Sequence, residues 1–167
     1  TAVVSVVSNT IPPVVAGTTN GTLTCTNTSV SAIATTTTTP VSYTWSGVGI
    51  TSPTNTNSIT ANQPGIFNYT VTNTSNGCST TGAQSITQNT TVPTATLTPS
   101  SLTTTCASPT ATLLVTSSSG PNSVYTWTVP VNGSLNNTNS NNPVASGSGV
   151  FTVAVTNTLN GCVSALQ

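Results

Sequence analysis

The chain carries no lysine, arginine, aspartate, glutamate or histidine in 167 residues. An ordinary globular sequence of that length holds ~42 charged side chains. Each absence removes a class of function. General acid–base catalysis needs a group that titrates near working pH. A Ser, Thr or Cys nucleophile needs a neighbouring base or cation to activate it. Calcium and magnesium sites are built largely on carboxylates, and phosphate and nucleic-acid recognition on Lys and Arg. The composition therefore points away from an enzyme, a cofactor, a metal site and a nucleic-acid partner. It fits selection for a neutral, hydroxyl-rich surface that withstands acid, salt and proteases.

Long apolar runs are also missing. No segment approaches the ~20 residues that a membrane helix requires, so membrane insertion is not expected. No charged start, apolar stretch and cleavage pattern opens the chain, which places any secretion signal outside it. What is present is Thr (41), Ser (23) and Asn (19), together half of the chain. Such a composition suits disorder; the periodicity does not.

The sequence contains one unit twice. Tyr43-Thr44-Trp45 returns as Tyr125-Thr126-Trp127, and Phe67–Cys78 (FNYTVTNTSNGC) returns as Phe151–Cys162 (FTVAVTNTLNGC). Leu23-Thr24-Cys25 matches Thr104-Thr105-Cys106. Three landmarks in one order, at offsets of 81 to 84, define two modules of about eighty residues.

Within each module apolar residues alternate with polar ones, the period of a half-buried strand. The rows are Val30, Ala32, Ala34; Val41, Tyr43, Trp45; and Phe67, Tyr69, Val71. In the second module they are Ala111, Leu113, Val115; Tyr125, Trp127, Val129; and Phe151, Val153, Val155. Ser46-Gly47, Gln63-Pro64-Gly65, Asn76-Gly77, Gly120-Pro121-Asn122, Asn132-Gly133 and Asn160-Gly161 punctuate them as turns. Short strands at this spacing predict an all-β chain of two tandem Greek-key sandwiches, elongated end to end. Pro12-Pro13 and Pro93 mark the boundaries, since proline cannot donate to a ladder. The modules are residues 11–91 and 92–167. Residues 1–10 align with 82–91, so they read as a strand that completes a preceding module, and the second module closes with its own last strand barely begun.

The order Cys, Tyr-x-Trp-Ser-Gly, Gly-Ile-Phe-x-Tyr-x-Val-Thr-Asn, Asn-Gly-Cys resembles the PKD-like and immunoglobulin-like repeats of large Bacteroidota surface adhesins, the gliding-motility adhesins among them. The resemblance spans both modules. It implies a secreted, cell-surface sandwich of seven or eight strands acting as a fibre or stalk segment. The acidic turn usual after the Trp of PKD-like domains is replaced here by Ser46-Gly47-Val48-Gly49 and Thr128-Val129-Pro130, so no calcium-binding turn is implied.

Tyr43, Trp45, Phe67, Tyr69, Tyr125, Trp127 and Phe151 are expected in the cores rather than on a ligand platform. Cys25, Cys78, Cys106 and Cys162 lack the spacing of a zinc site and read as cystines of an exported protein. Two schemes stay open. One pairs cysteines within modules (Cys25–Cys78, Cys106–Cys162). The other runs head to tail, with Cys25 bonded to Cys162 and Cys106 to Cys78 of a following chain. The within-module scheme must bring together cysteines at opposite ends of a strand some ~23 Å long. Asn20, Asn27, Asn68, Asn73, Asn89, Asn132 and Asn136 stand in N-glycosylation sequons, and Thr35–Thr39 reads as an exposed turn.

The leading functional expectation is a building block of an extracellular filament. Copies join head to tail through Ala2, Val3, Val4, Val6 and Val7, a run apolar on both faces. The alternatives are an internal repeat of a giant adhesin stalk, or a module that binds glycan or ice through ranks of Thr such as Thr94, Thr96 and Thr98.

Overall fold

A computed structural model describes residues 2–167. The backbone forms two compact units, residues 2–23 with Asn27–Asn89, and Thr24–Thr26 with Thr90–Gln167. The division differs from the sequence-based one at three places: residues 2–10 group with the first unit, the boundary falls between Asn89 and Thr90, and residues 24–26 belong with the second unit.

In the first unit β1 (Val15–Thr19), β3 (Val30–Thr36) and β5 (Ser58–Ala61) form one antiparallel sheet in the order β1–β3–β5. The second sheet has the order β4–β6–β7, from β4 (Val41–Ser46), β6 (Gly65–Asn73) and β7 (Ser79–Ile86). These are the A–B–E and C–F–G sheets of an immunoglobulin-like sandwich. A short ladder joins β2 (Leu23–Thr24) to β8 (Gln88–Asn89). The alternation decides which face is buried. Val30, Ala32 and Ala34 point inward from β3, and Phe67, Tyr69 and Val71 from β6, onto Trp45 and Ile59. The Trp45 and Tyr69 rings pack at 5.0 Å. The indole N–H of Trp45 donates to the Thr56 carbonyl (2.9 Å), so the buried ring leaves no polar atom unpaired.

The second unit repeats the plan with shorter ladders in its first sheet. β9 (Ala95–Thr98) pairs with β11 (Leu114–Ser117), and β10 (Thr110–Thr112) with β14 (Val144–Gly147), which also pairs with β13 (Gly133–Leu135). β12 (Ser123–Thr128) pairs with β15 (Thr152–Asn157). The expected row Ala111, Leu113, Val115 is one path that changes partner at Leu113, whose N–H goes to the Pro143 carbonyl. Val129 falls outside β12: Pro130 has no N–H for the ladder and restricts the residue before it. Thr35 and Thr36 of the expected turn instead end β3. Trp127 donates to the Ser140 carbonyl (2.9 Å), as Trp45 does to Thr56. Among the described residues the only helical piece is a three-residue 3-10 turn, Gly120–Asn122. Among the described residues no helix is long and apolar enough to cross a membrane.

The two cores differ at one place. Ile86, the last residue of β7, is 2 % exposed and closes the first core with Leu23 and Phe67. No described residue of the second unit takes the Ile86 position, and Thr104 stands where Leu23 does. Phe67 is fully buried, whereas its repeat partner Phe151 is only partly buried. Phe67→Ala should therefore cost about 3–5 kcal/mol in urea unfolding. Phe151→Ala should cost the isolated chain less than half of that.

Candidate functional site

Three features of the units follow from the repeat. The first is a groove of about 470 Å³ within the second unit. Leu97, Leu102, Ala111, Leu113, Val150 and Phe151 supply its apolar lining. Several lining residues are the repeat counterparts of those around Ile86. Ala111 and Leu113 correspond to Val30 and Ala32, Phe151 to Phe67, and Gly149 to Gly65, the residue that Ile86 pairs with. Residues 163–167 run along the edge of β15. Thr156 bridges Val163, and Val153 and Gln167 exchange both backbone hydrogen bonds at 3.1 Å. The groove lies past that point.

The second feature is a clasp on the segment that enters each unit. The Asn76 amide donates to the Asn9 side chain (3.1 Å) and to the Ile11 carbonyl (3.0 Å). The Asn160 amide donates to the Thr91 carbonyl (3.0 Å). Pro13 and Pro93, two residues further on, are both buried. Residues 9–13 are thus held on the first unit as residues 90–93 are held on the second, at an offset of 80. Both asparagines sit in the same turn, which recurs bond for bond. Gly77 and Gly161 take φ of +75° and +69°, where a side chain would be strained. Their N–H groups donate to Asn73 and Asn157 (2.8 Å each), and the Cys78 and Cys162 N–H groups to the Asn76 and Asn160 side chains (2.9 and 3.0 Å).

Upstream of this clasp, Ala2–Ser8 forms no strand, and Val3, Val4, Val6 and Val7 are 90, 84, 91 and 86 % exposed. Thr1, where the expected joining strand begins, lies outside the described residues.

The third feature is the cystine. Cys25 bonds Cys162, 137 residues away, with Cα atoms 5.1 Å apart. Cys78 and Cys106 remain thiols. The within-module pairing is overturned: Cys25 belongs with residues 24–26 to the second unit, where its N–H also donates to the Asn160 carbonyl (3.1 Å).

Trp45, Trp127, Phe67 and Tyr69 are buried, and Tyr43, Tyr125 and Phe151 are half-buried against the same cores. Asn20, Asn27, Asn68, Asn89, Asn132 and Asn136 are exposed, and Asn73 is half-buried. Thr94, Thr96 and Thr98 are exposed, with Thr116 opposite Thr96. A further rank, Thr44–Thr70–Thr81, crosses all three strands of the β4–β6–β7 sheet. Among the described residues no cluster of His, Cys, Asp or Glu could hold a metal ion.

No family model and no curated protein matches the chain. Among solved structures it is similar to murine CEACAM1b, at 12 % identity over 83 % of this chain and 89 % of that one, with a TM-score of 0.33. It is also similar to the titin domains Z1Z2 in complex with telethonin, at 12 % identity, 94 % and 95 % coverage and a TM-score of 0.31. Likeness at that level leaves the fold assignment to the strand order.

Removing the cystine by Cys25→Ser or Cys162→Ser should lower the stability of the second unit by about 2–5 kcal/mol. Urea unfolding followed through the two tryptophans measures it, with Trp127 reporting the loss and Trp45 little changed.

Proposed function

We propose that the chain is a structural, non-catalytic subunit of an extracellular filament, in which residues 2–8 of one copy complete the second sandwich of another. The observation that carries this is the pairing of an unladdered segment holding four exposed valines with an open apolar groove. The equivalence of Ile11 with Thr91 and of Pro13 with Pro93 sets a register. At that offset Val6 takes the Ile86 position and Val4 that of Gln84. The neighbours match the change. Gln84 lies against Gly17, where a Cβ would sit 2.1 Å from its amide nitrogen. The counterpart of Gly17 is Leu97, a groove residue suited to valine rather than glutamine. Each valine fully buried contributes ~1.5–3 kcal/mol, and a sheet edge supplies backbone partners for an added strand. Cysteines in an exported chain form cystines by default, which suits a cell-surface location.

The resemblance to Bacteroidota adhesin repeats favours a second reading, in which the same segment completes a preceding module of one giant stalk. A glycan- or ice-binding face has weaker support. The Thr44–Thr70–Thr81 rank is one row deep, and beside it the Thr72 and Ser79 hydroxyls bond each other at 2.9 Å.

Val6→Asp tests the assembly. Val6 is exposed in the single chain, so the variant should fold and unfold like the parent while losing head-to-tail assembly in electron micrographs. A peptide of residues 2–8 should bind the chain shortened by those residues, and its Val6→Asp form should not. Assembly by Val6→Asp at the parent's level would overturn the proposal. Native material of hundreds of kilodaltons after reduction and deglycosylation, in place of the 16.6 kDa chain, would establish the giant-stalk reading.

A further inference from the structure

Each thiol left free in the chain is the repeat counterpart of a bonded cysteine. Cys106 follows Cys25 by 81 positions, and Cys78 precedes Cys162 by 84. We infer that Cys106 of one copy bonds Cys78 of the next, repeating between copies the bond that Cys25 and Cys162 make within one. The inference rests on the head-to-tail reading above and adds a covalent lock to it.

The turn around Cys78 has the backbone of the turn around Cys162 but not its covering. Asn160 and Cys162 are each 1 % exposed, whereas Asn76 and Cys78 are only partly buried. A Cβ on Gly161 would meet the Thr26 side chain at 2.4 Å, so the segment carrying Cys25 packs directly on that turn. A Cβ on Gly77 would meet nothing within 4 Å. The first turn thus offers the surface that residues 24–26 cover on the second. The segment that corresponds to 24–26 is Thr105-Cys106-Ala107, exposed throughout. It is held in a tight turn by reciprocal backbone bonds between Thr105 and Ser108, at 2.9 and 3.1 Å. Ala107 replaces Thr26, a smaller side chain for the same glycine.

The bond needs a two-electron oxidant, and a low-molecular-weight disulfide such as oxidised glutathione supplies it. One cysteine thiolate attacks that disulfide, releasing one glutathione thiolate and leaving a mixed disulfide. The second cysteine thiolate then displaces the other glutathione. Two protein thiols become one cystine, and one glutathione disulfide becomes two thiols, with the two protons passing to them.

The test is to oxidise the assembled chain with oxidised glutathione and run it without reductant. A ladder of multiples of 16.6 kDa is expected, collapsing to the single chain on reduction. Cys78→Ser and Cys106→Ser should each abolish the ladder, and a mixture of the two variants should give covalent dimers and nothing longer. Chymotryptic peptides, needed because trypsin has no site here, should join Cys78 to Cys106. Links of Cys78 to Cys78 or Cys106 to Cys106 overturn the inference. So do filaments whose two thiols stay open to alkylation after oxidation, and in that case strand complementation stands. If neither the parent nor the Cys78→Ser/Cys106→Ser double variant forms filaments and no link appears, the head-to-tail reading fails and this inference with it.

Discussion

A β-sandwich is closed only when something apolar fills the gap between its sheets where the last strand ends. In the first unit Ile86 does this, at the end of a β7 whose other inward residues are Thr80, Gly82 and Gln84. A chain built from Thr, Ser and Asn has few large apolar side chains, so one closing residue matters more than in an ordinary core. The second unit meets the same requirement with Phe151 half-open and a groove beside it. In the proposed filament the exposed valines of residues 3–7 of another copy meet it.

Lack of charge shapes the rest. With no ion pairs available, orientation comes from hydrogen bonds and shape alone. The Asn-Gly-Cys turn shows how. One asparagine amide holds the incoming segment, its carbonyl caps the cysteine N–H, and the glycine provides the left-handed residue. The arrangement works without a charge and recurs in both units. It is also insensitive to acid, because unfolding at low pH is driven chiefly by carboxylates and histidines that titrate differently in the two states.

Much of this was legible in the sequence. The Tyr-x-Trp and Phe…Asn-Gly-Cys recurrences marked two sandwiches, and the alternation at Val30, Tyr43 and Phe67 identified their inward faces. What escaped depends on tertiary placement. Nothing local in Thr24-Cys25-Thr26 says that it leaves the first unit for the second, so two cystine schemes stayed open. Asn76 and Asn160 are two of 19 asparagines; their clasp shows only once their turns are folded. The offset also slips, from 84 at the cysteine turn to 80 at the prolines. The equivalence of Val6 with Ile86 therefore emerges from the Ile11 and Thr91 carbonyls and the buried prolines, not from alignment through the cysteines.

In the proposed filament residues 2–8 become a strand only in a neighbouring sandwich. Amide hydrogen exchange of this segment in assembled and single chains tests it most directly. Free exchange is expected throughout Val3–Val7 in the single chain. On assembly alternate amides should slow by on the order of 100-fold or more, as ladder hydrogen bonds form. Assembled material in which every one of these amides still exchanges at the free rate would contradict it.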